Sequence, residues 1–468
     1  MGISLNPATL LSGQGINVSS LVSQIITEDS GQLTEWQNEQ STLQGQASDL
    51  TTINTDLTNL ANAVSALSDP LGVLTEQVAT SSNTSVLTGT ADTSAVAGVD
   101  QIEVGTLATT GTVYTGEVAD PTASFLPTGA TTGEIDLQVG GGTPQPILIT
   151  AGTNDTLNTL ASYINGQNLG VTANVVTDAN GSRLALSSTA TGTPGALAIT
   201  SNNTNLSFDT PIGGTNASLT IDGVPYSSAT NTITGAIPGV TLNLASASPG
   251  NPVQLTVGPD VADATTAINN FVVAYNQVVT DINQEYAINP ATGSQGDLSG
   301  DASLRQLQSS ILSDASYSLS GNAFVNLASL GISTNNDGTL TVDASQLASS
   351  FASNPAAVQS FFQNSSQTGF ANNFNADLTN LTDPTEGILN VDLAQNQTEQ
   401  TDLSTSITNF QTQLTAEQTA LTAEYSQVNA SLQAYPLLLQ QVTETLGTLG
   451  TNSSGSSGSG LPTLTSGL

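Results

Sequence analysis

The chain is 468 residues long, which leaves room for roughly three domains at about 150 residues each. It carries 37 acidic side chains against two basic ones, Arg183 and Arg305, for a formal net charge of −35. That balance argues against nucleic-acid binding, which depends on clustered Lys and Arg, and against anionic membrane surfaces.

With no Cys and no His, the chain cannot build disulfides, thiolate nucleophiles, Ser-His-Asp or Cys-His arrangements, or the usual zinc sites. Only 8% of residues are charged, so Thr, Ser, Asn and Gln form the polar surface. Acid has few ion pairs to break on such a surface, and an extracellular life at low pH is the expectation. Met1 to Leu11 shows neither a basic n-region nor a continuous apolar h-region. No apolar run approaches the roughly 20 residues of a membrane span. The expectation is a protein that is cytosolic or exported without a cleaved signal, and not inserted in a membrane.

Residues 1–17 are rich in Gly, Ser and Asn without a period, which predicts disorder until binding, and residues 1–30 as a whole are expected to order only on assembly. Ser19 or Ser20 can cap a short helix with Leu21, Val22, Ile25 and Ile26 on one face. From Leu33 a heptad seam begins: Trp36, Leu43, Leu50, Leu57 and Val64 fall seven apart, joined by Ile53, Leu60 and Leu67. The turn Asp69-Pro70-Leu71-Gly72 ends it.

From about Val73 to 257 the composition shifts to Thr, Val, Ile and Gly, predicting mostly β structure. Alternation is clear at Gln101 to Val104, and one helix interrupts at Asp155, Leu157, Leu160 and Ile164. Strands Val171 to Val176 and Arg183 to Ser187 flank the hairpin signal Asp178-Ala179-Asn180-Gly181. Ala217 to Ile221, the turn Asp222-Gly223, and strands near 231–233 and 240–244 form a second β unit.

Helix returns after Pro259 with Ile268, Phe271, Val272, Tyr275, Val278, Val279 and Ile282 on one broad face, stopped by Asn289 to Gly293. Asp301 is placed to cap a helix bearing Leu304, Leu307 and Ile311. Leu330 to Ile332 and Leu340 to Val342 flank Asn336-Asp337-Gly338, and helices are expected at 344–351 and 355–381.

The stretch 387–447 is one long helix with a single apolar stripe: Leu403, Ile407, Phe410, Leu414, Leu421, Tyr425, Val428, Leu432 and Tyr435. Pro436 should kink or end it. One stripe cannot stabilise so long a helix alone in water, and the 33–67 heptad segment is the natural partner. The stripe residues up to Leu432, the heptad positions Trp36 to Val64, and Leu21 and Ile25 are therefore the candidate stalk-packing and oligomerisation positions.

The fold class that results is α+β and multidomain: terminal amphipathic helices form a coiled-coil-like stalk, and β-rich domains are inserted in the middle. Residues 1–72 supply the N-terminal segment and stalk helices, 73–100 and 258–386 a helix-rich core with hairpins, and 101–257 the inserted head. Residues 387–447 form the C-terminal helix, and 448–468 a flexible tail.

No catalytic, cofactor-binding or metal-binding residue emerges. The carboxylates are scattered, with no pair whose setting would separate their pKa values as a paired-carboxylate hydrolase requires. Loops with Gly338 or Gly181 at the sixth position lack the bidentate Glu of an EF-hand and read as hairpin turns. Gly455-Ser456-Ser457-Gly458 lacks the flanking strand and helix of a nucleophile elbow.

Three segments resemble the flagellar hook-associated protein 2, or filament-capping (FliD), family. Gly15-Ile16-Asn17-Val18-Ser19-Ser20-Leu21-Val22 to Ile26 is similar to the family's opening. Ile164-Asn165, Leu169 to Ala173 and Gly181 to Leu186 resemble the flagellin hook IN motif, placing an IN-like unit at 134–200. Most specific are Asn270-Phe271-Val272-Val273-Ala274-Tyr275-Asn276, Asn289 to Gly293 and Gly300 to Arg305.

The resemblance implies a secreted structural protein without enzymatic activity or cofactor. Such a protein forms a homo-oligomeric ring, a homopentamer in the best-known members, at the tip of the flagellar filament. There it promotes flagellin folding and polymerisation and prevents loss of monomers, with tip adhesion a secondary role in some members. Implied partners are further copies of itself, flagellin, the hook-filament junction proteins and a type III export chaperone; export by the flagellar type III system needs no cleaved signal. Two features depart from the family: its terminal helices usually carry Lys and Arg, absent here, and the C-terminal tail is longer than usual. Another axial protein, flagellin or a junction protein, or an acidic surface adhesin are the alternative readings.

Overall fold

The computed structural model describes residues 16–451. The expectations of disorder over most of 1–17 and of flexibility in the tail beyond 451 lie outside the described residues. The chain divides into two compact units, residues 1–59, 276–312 and 377–468 in the first and 60–275 and 313–376 in the second.

In the first unit, α1 (Val18–Asp29) is capped by Asn17, whose side chain accepts the Ser20 N–H at 3.1 Å, rather than by a Ser. Leu21 and Val22 are buried in the single chain. Residues 18–29 are thus helical without assembly, against the expectation that everything up to residue 30 orders only in a ring. After a break at Ser30, α2 (Gly31–Ser68) follows the heptad seam from end to end.

The second unit is predominantly β in its middle. Strands β1 (Gln77–Ser81), β2 (Leu87–Ala91) and β3 (Gly98–Thr106) pair with β10 (Ala217–Ile221), β11 (Val224–Ser228), β12 (Thr232–Ile237), β13 (Val240–Leu244) and β14 (Val253–Pro259). They form a five-stranded sheet in the order β1-β14-β3-β10-β11 and a three-stranded one in the order β12-β13-β2. Residues 73–100, β by composition, pair into these sheets: β1 runs antiparallel to β14 and β2 to β13. Leu87, Ile102, Val104, Leu219, Leu242 and Leu255 form their shared core. Asp222 and Gly223 both have positive φ, 49° and 80°, the backbone that a two-residue hairpin matching strand twist requires.

A second β layer carries its own core. Strands β4 (Thr110–Tyr114), β7 (Val171–Thr177) and β8 (Ser182–Thr191) form one sheet. Strands β5 (Thr132–Val139), β6 (Gln145–Thr150) and β9 (Leu197–Asn202) form another. Helix α3 (Leu157–Gly166) packs here through Leu157, Leu160 and Ile164. It starts in a capping box made by Thr156 and Thr159 rather than at Asp155. Asn165 fixes its far end: its Nδ2 donates to the Ala173 carbonyl and its Oδ1 accepts the Ala173 N–H, both at 2.8 Å.

Helix α4 (Val261–Tyr286) buries its broad apolar face, Ile268, Phe271, Tyr275, Val278 and Ile282 among them. Helix α5 (Ala302–Ala315) is capped as expected, Asp301 accepting the Ser303 and Leu304 N–H groups at 2.7 and 3.0 Å. The short hairpin β15 (Ile332–Thr334) and β16 (Leu340–Val342) precedes α6 (Ala344–Ser353), whose N-terminus Asp343 caps. The single helix expected over 355–381 is two, α7 (Pro355–Phe362) and α8 (Phe370–Leu381). Gln363 is extended, and Asn364 accepts the Ser366 and Thr368 N–H groups, giving the backbone an alternative to helix. Phe271, Phe361, Phe362, Phe370 and Phe374 pack as one aromatic cluster around this break.

Helix α9 (Ile388–Thr451) completes the first unit. It runs through Pro436 rather than ending there; the ring removes one backbone N–H donor, and the other turns carry the helix past it.

Candidate functional site

The site the structure builds from the sequence-predicted positions is a helix pair. The Asn54 amide donates to Asn390 Oδ1 at 3.0 Å, Asn396 to Gln46 Oε1 at 3.3 Å, and Gln400 to the Leu43 carbonyl at 3.2 Å. Trp36 meets Phe410, and the Ile16 N–H donates to Asn429 Oδ1 at 2.7 Å. Each step back along α2 and α1 is matched by a step forward along α9, so residues 16–54 and 390–429 run antiparallel. Sequence reasoning rested the register on apolar side chains alone. The amide contacts were missed, although a run of Asn and Gln facing an apolar stripe was their available signal. Such contacts do in neutral form what charged flanks do in most paired helices.

Burial sorts the candidate residues. Leu21, Leu50, Leu57, Val64, Ile407 and Leu414 are buried, whereas Ile25, Trp36, Leu43, Leu403, Phe410, Leu421, Tyr425 and Leu432 are half-buried. Val428 is exposed, and beyond it so are Tyr435, Leu437, Leu438, Val442 and Leu446, at 49 to 68%. The stripe is thus covered at the proximal end of α9 and progressively bare, among the described residues, toward its distal end. An open groove of about 400 Å³ between Glu424, Val428, Leu432 and Tyr435 lies on that bare face.

Carboxylates that sequence reading left scattered are brought together in the first unit. Burial pushes the Asp281 carboxyl up to about 6, helped by a hydrogen bond and charge from Asp56, while the Gln277 amide, 3.0 Å away, opposes the shift. Burial likewise raises Glu285, with the charges of Asp49 and Asp297 adding to it; Glu285 accepts the Leu298 N–H at 2.9 Å. Asp49 is raised by burial and by Asp297, and Asp392 by burial and by Asp301. These groups are proton-sensitive ties among α2, α4, α5 and α9. Among the described residues no three His, Cys, Asp or Glu are grouped to hold a metal ion, and no helix is long and apolar enough to cross a membrane.

Comparison with known proteins follows the same pattern of elements. The model of the flagellar hook-associated protein 2 N-terminus matches residues 14–111, that of its C-terminus residues 214–435, and the flagellin hook IN motif residues 134–190. The B-type flagellar hook-associated protein 2 of Pseudomonas aeruginosa is 33% identical over 350 residues, 68% of this chain and 72% of that protein. The chain belongs to the flagellar hook-associated protein 2 family.

The Escherichia coli K12 flagellar hook-associated protein 2 is 26% identical over 78% of this chain and 82% of its own. A crystal structure of the D1-D2-D3 domains of the E. coli flagellar cap protein FliD superposes with a TM-score of 0.58 and 28% identity, covering 75% of this chain and 99% of that one. The N-terminal match spans α1, α2 and β1 to β3, and the C-terminal match runs from β10 into α9. The IN match contains Ile164 and Asn165, and the structure gives that pair a physical role: Ile164 seats α3 in the core and Asn165 bolts it to β7.

Proposed function

We propose that this protein is the structural cap of a bacterial flagellar filament, a homo-oligomeric ring at the extracellular tip that promotes flagellin folding and polymerisation and prevents loss of monomers. Family membership supports it, and the observation that carries it is the helix pair: α9 packs along α1 and α2 in one chain yet leaves Val428 and the apolar residues beyond it bare. A face of that kind in water calls for neighbouring subunits. The ring is a homopentamer in this reading, and its stoichiometry is directly measurable. Flagellin, the hook-filament junction proteins and an export chaperone are its proposed partners, with export through the flagellar type III system.

The test is localisation with mass measurement. Immunogold labelling of intact flagella is expected at filament tips alone, and native mass spectrometry of the purified protein is expected to give a closed ring of about five copies. Label spread along the filament would favour an axial subunit and overturn the cap.

A further inference from the structure

Between the end of α2 and the loop after α7, within the second unit, lies a cavity of about 350 Å³ lined by Ser68, Pro70, Gln359, Gln363, Gln367 and Asn372. Its lining carries no charge and, Pro70 apart, consists of amides and hydroxyls. Gln363 is 5% exposed, and neither its Oε1 nor its Nε2 has a hydrogen-bond partner among the described residues. Leaving both ends of a buried amide unpaired is costly, so a partner that reaches them from the cavity is favoured.

The surrounding loop is built to keep it in place. The Gln363 N–H closes α7 on the Gln359 carbonyl at 2.8 Å, and the Asn364 N–H donates to Asn372 Oδ1 at 3.2 Å. Asn364 Oδ1 gathers the Ser366 and Thr368 N–H groups, Gln367 sits in the left-handed region at φ 55°, and the Tyr317 hydroxyl donates to the Thr368 carbonyl. Beside Gln363, Phe361 and Phe362 are fully buried in the aromatic cluster. A wall fixed at so many points is preorganised for a ligand.

The ligand's chemistry follows from the free groups. Gln363 offers one acceptor and one N–H₂ donor side by side. A carboxylate would satisfy only the donor and an ammonium only the acceptor, whereas a second amide satisfies both in a paired arrangement. We propose that this cavity binds an amide of another polypeptide segment, either an Asn or Gln side chain or a main-chain unit. The site goes beyond the cap reading and does not depend on it.

The test uses the full chain and acetamide as probe, followed by saturation-transfer NMR on the wild type and Gln363→Met, with acetate as a charged control of equal size. The expected result is binding of the neutral probe, at least about tenfold weaker binding of the charged one, and a similar loss in Gln363→Met. Gln363→Met is expected to unfold at the same or higher denaturant concentration, since it removes no bond within the fold. Loss of stability in that variant, or equal probe binding by wild type and variant, would overturn the proposal. Self-association by sedimentation then separates the sources: weakening in Gln363→Met assigns the amide to a second copy, and no change assigns it to a different polypeptide.

Discussion

Trp36 and Phe410 meet edge to face, with ring centroids 5.5 Å apart and planes at 73°, although they lie near opposite ends of the sequence. The pair fixes where α2 stands against α9, and its neighbours are amides rather than charges. Edge-to-face aromatic pairs contribute about 0.5–1.5 kcal/mol beyond the area they bury. A double-mutant cycle with Trp36→Leu and Phe410→Leu, measured by urea unfolding, is expected to return a coupling of about 1 kcal/mol. A coupling indistinguishable from zero would remove this contact as a register element.

Leu57, in the heptad seam of α2, and Val428, in the stripe of α9, should behave oppositely. Leu57 is fully buried and Val428 is 44% exposed. Leu57→Ala is expected to cost about 2–5 kcal/mol of folding stability. Val428→Asp should leave the monomer's unfolding curve within about 0.5 kcal/mol of wild type while blocking ring formation in size-exclusion chromatography. Normal rings from Val428→Asp would show that the bare face serves something other than assembly.

Acid should strengthen the terminal-helix unit before it weakens the chain. Asp281 is raised to about 6 by burial and by Asp56, so its unfavourable charge is absent below the ordinary carboxylate range and grows in as pH rises through about 6. Asp49, Glu285 and Asp392 are raised too and add in the same direction. Stability is therefore expected to rise between pH 7 and about pH 4.5. Below the ordinary carboxylate range it should fall, as Asp343 and Asp383, held low by hydrogen bonds from nearby hydroxyl and backbone N–H groups, take up protons. Asp281→Asn should flatten the rise and stabilise the protein at pH 7, by about 1 kcal/mol once solvent screening is allowed for. Unfolding followed by circular dichroism across this range is the measurement, and a steady loss of stability from pH 7 downward would contradict it.

Pro436 sits within α9 at a cost. A proline in a helix interior is about 3 kcal/mol worse than alanine. Pro436→Ala should raise the helical circular dichroism signal and protect the amides of 432–440 from exchange. Unchanged exchange there would mean that the helix beyond Pro436 is held by other contacts.

Much of this architecture was legible in the residues because its signals are local. The heptads of α2, the stripe of α9, the Asp301 cap and the Asp222-Gly223 and Asn336-Asp337-Gly338 turns all declare themselves within a few positions. What escaped depends on distant partners. Val78 and Leu87 gave no hint that β1 and β2 would pair with β14 and β13. Asp56 and Asp281 could not be seen as neighbours until α2 and α4 were placed together. The break at 363–369 was hidden because Phe361, Phe362, Phe370 and Phe374 keep a helical spacing across it, while the decisive group is the single Asn364 side chain. Along α9 the stripe was visible, but its passage from covered to bare falls where α1 begins, at the Ile16–Asn429 contact.

The most direct test of the cap is electron microscopy of a strain lacking this protein, with flagellin assayed in the medium. The account predicts bare hooks and free flagellin, with filaments restored by the wild-type protein and not by Val428→Asp. Filaments of normal length and number in the deletion strain would contradict it.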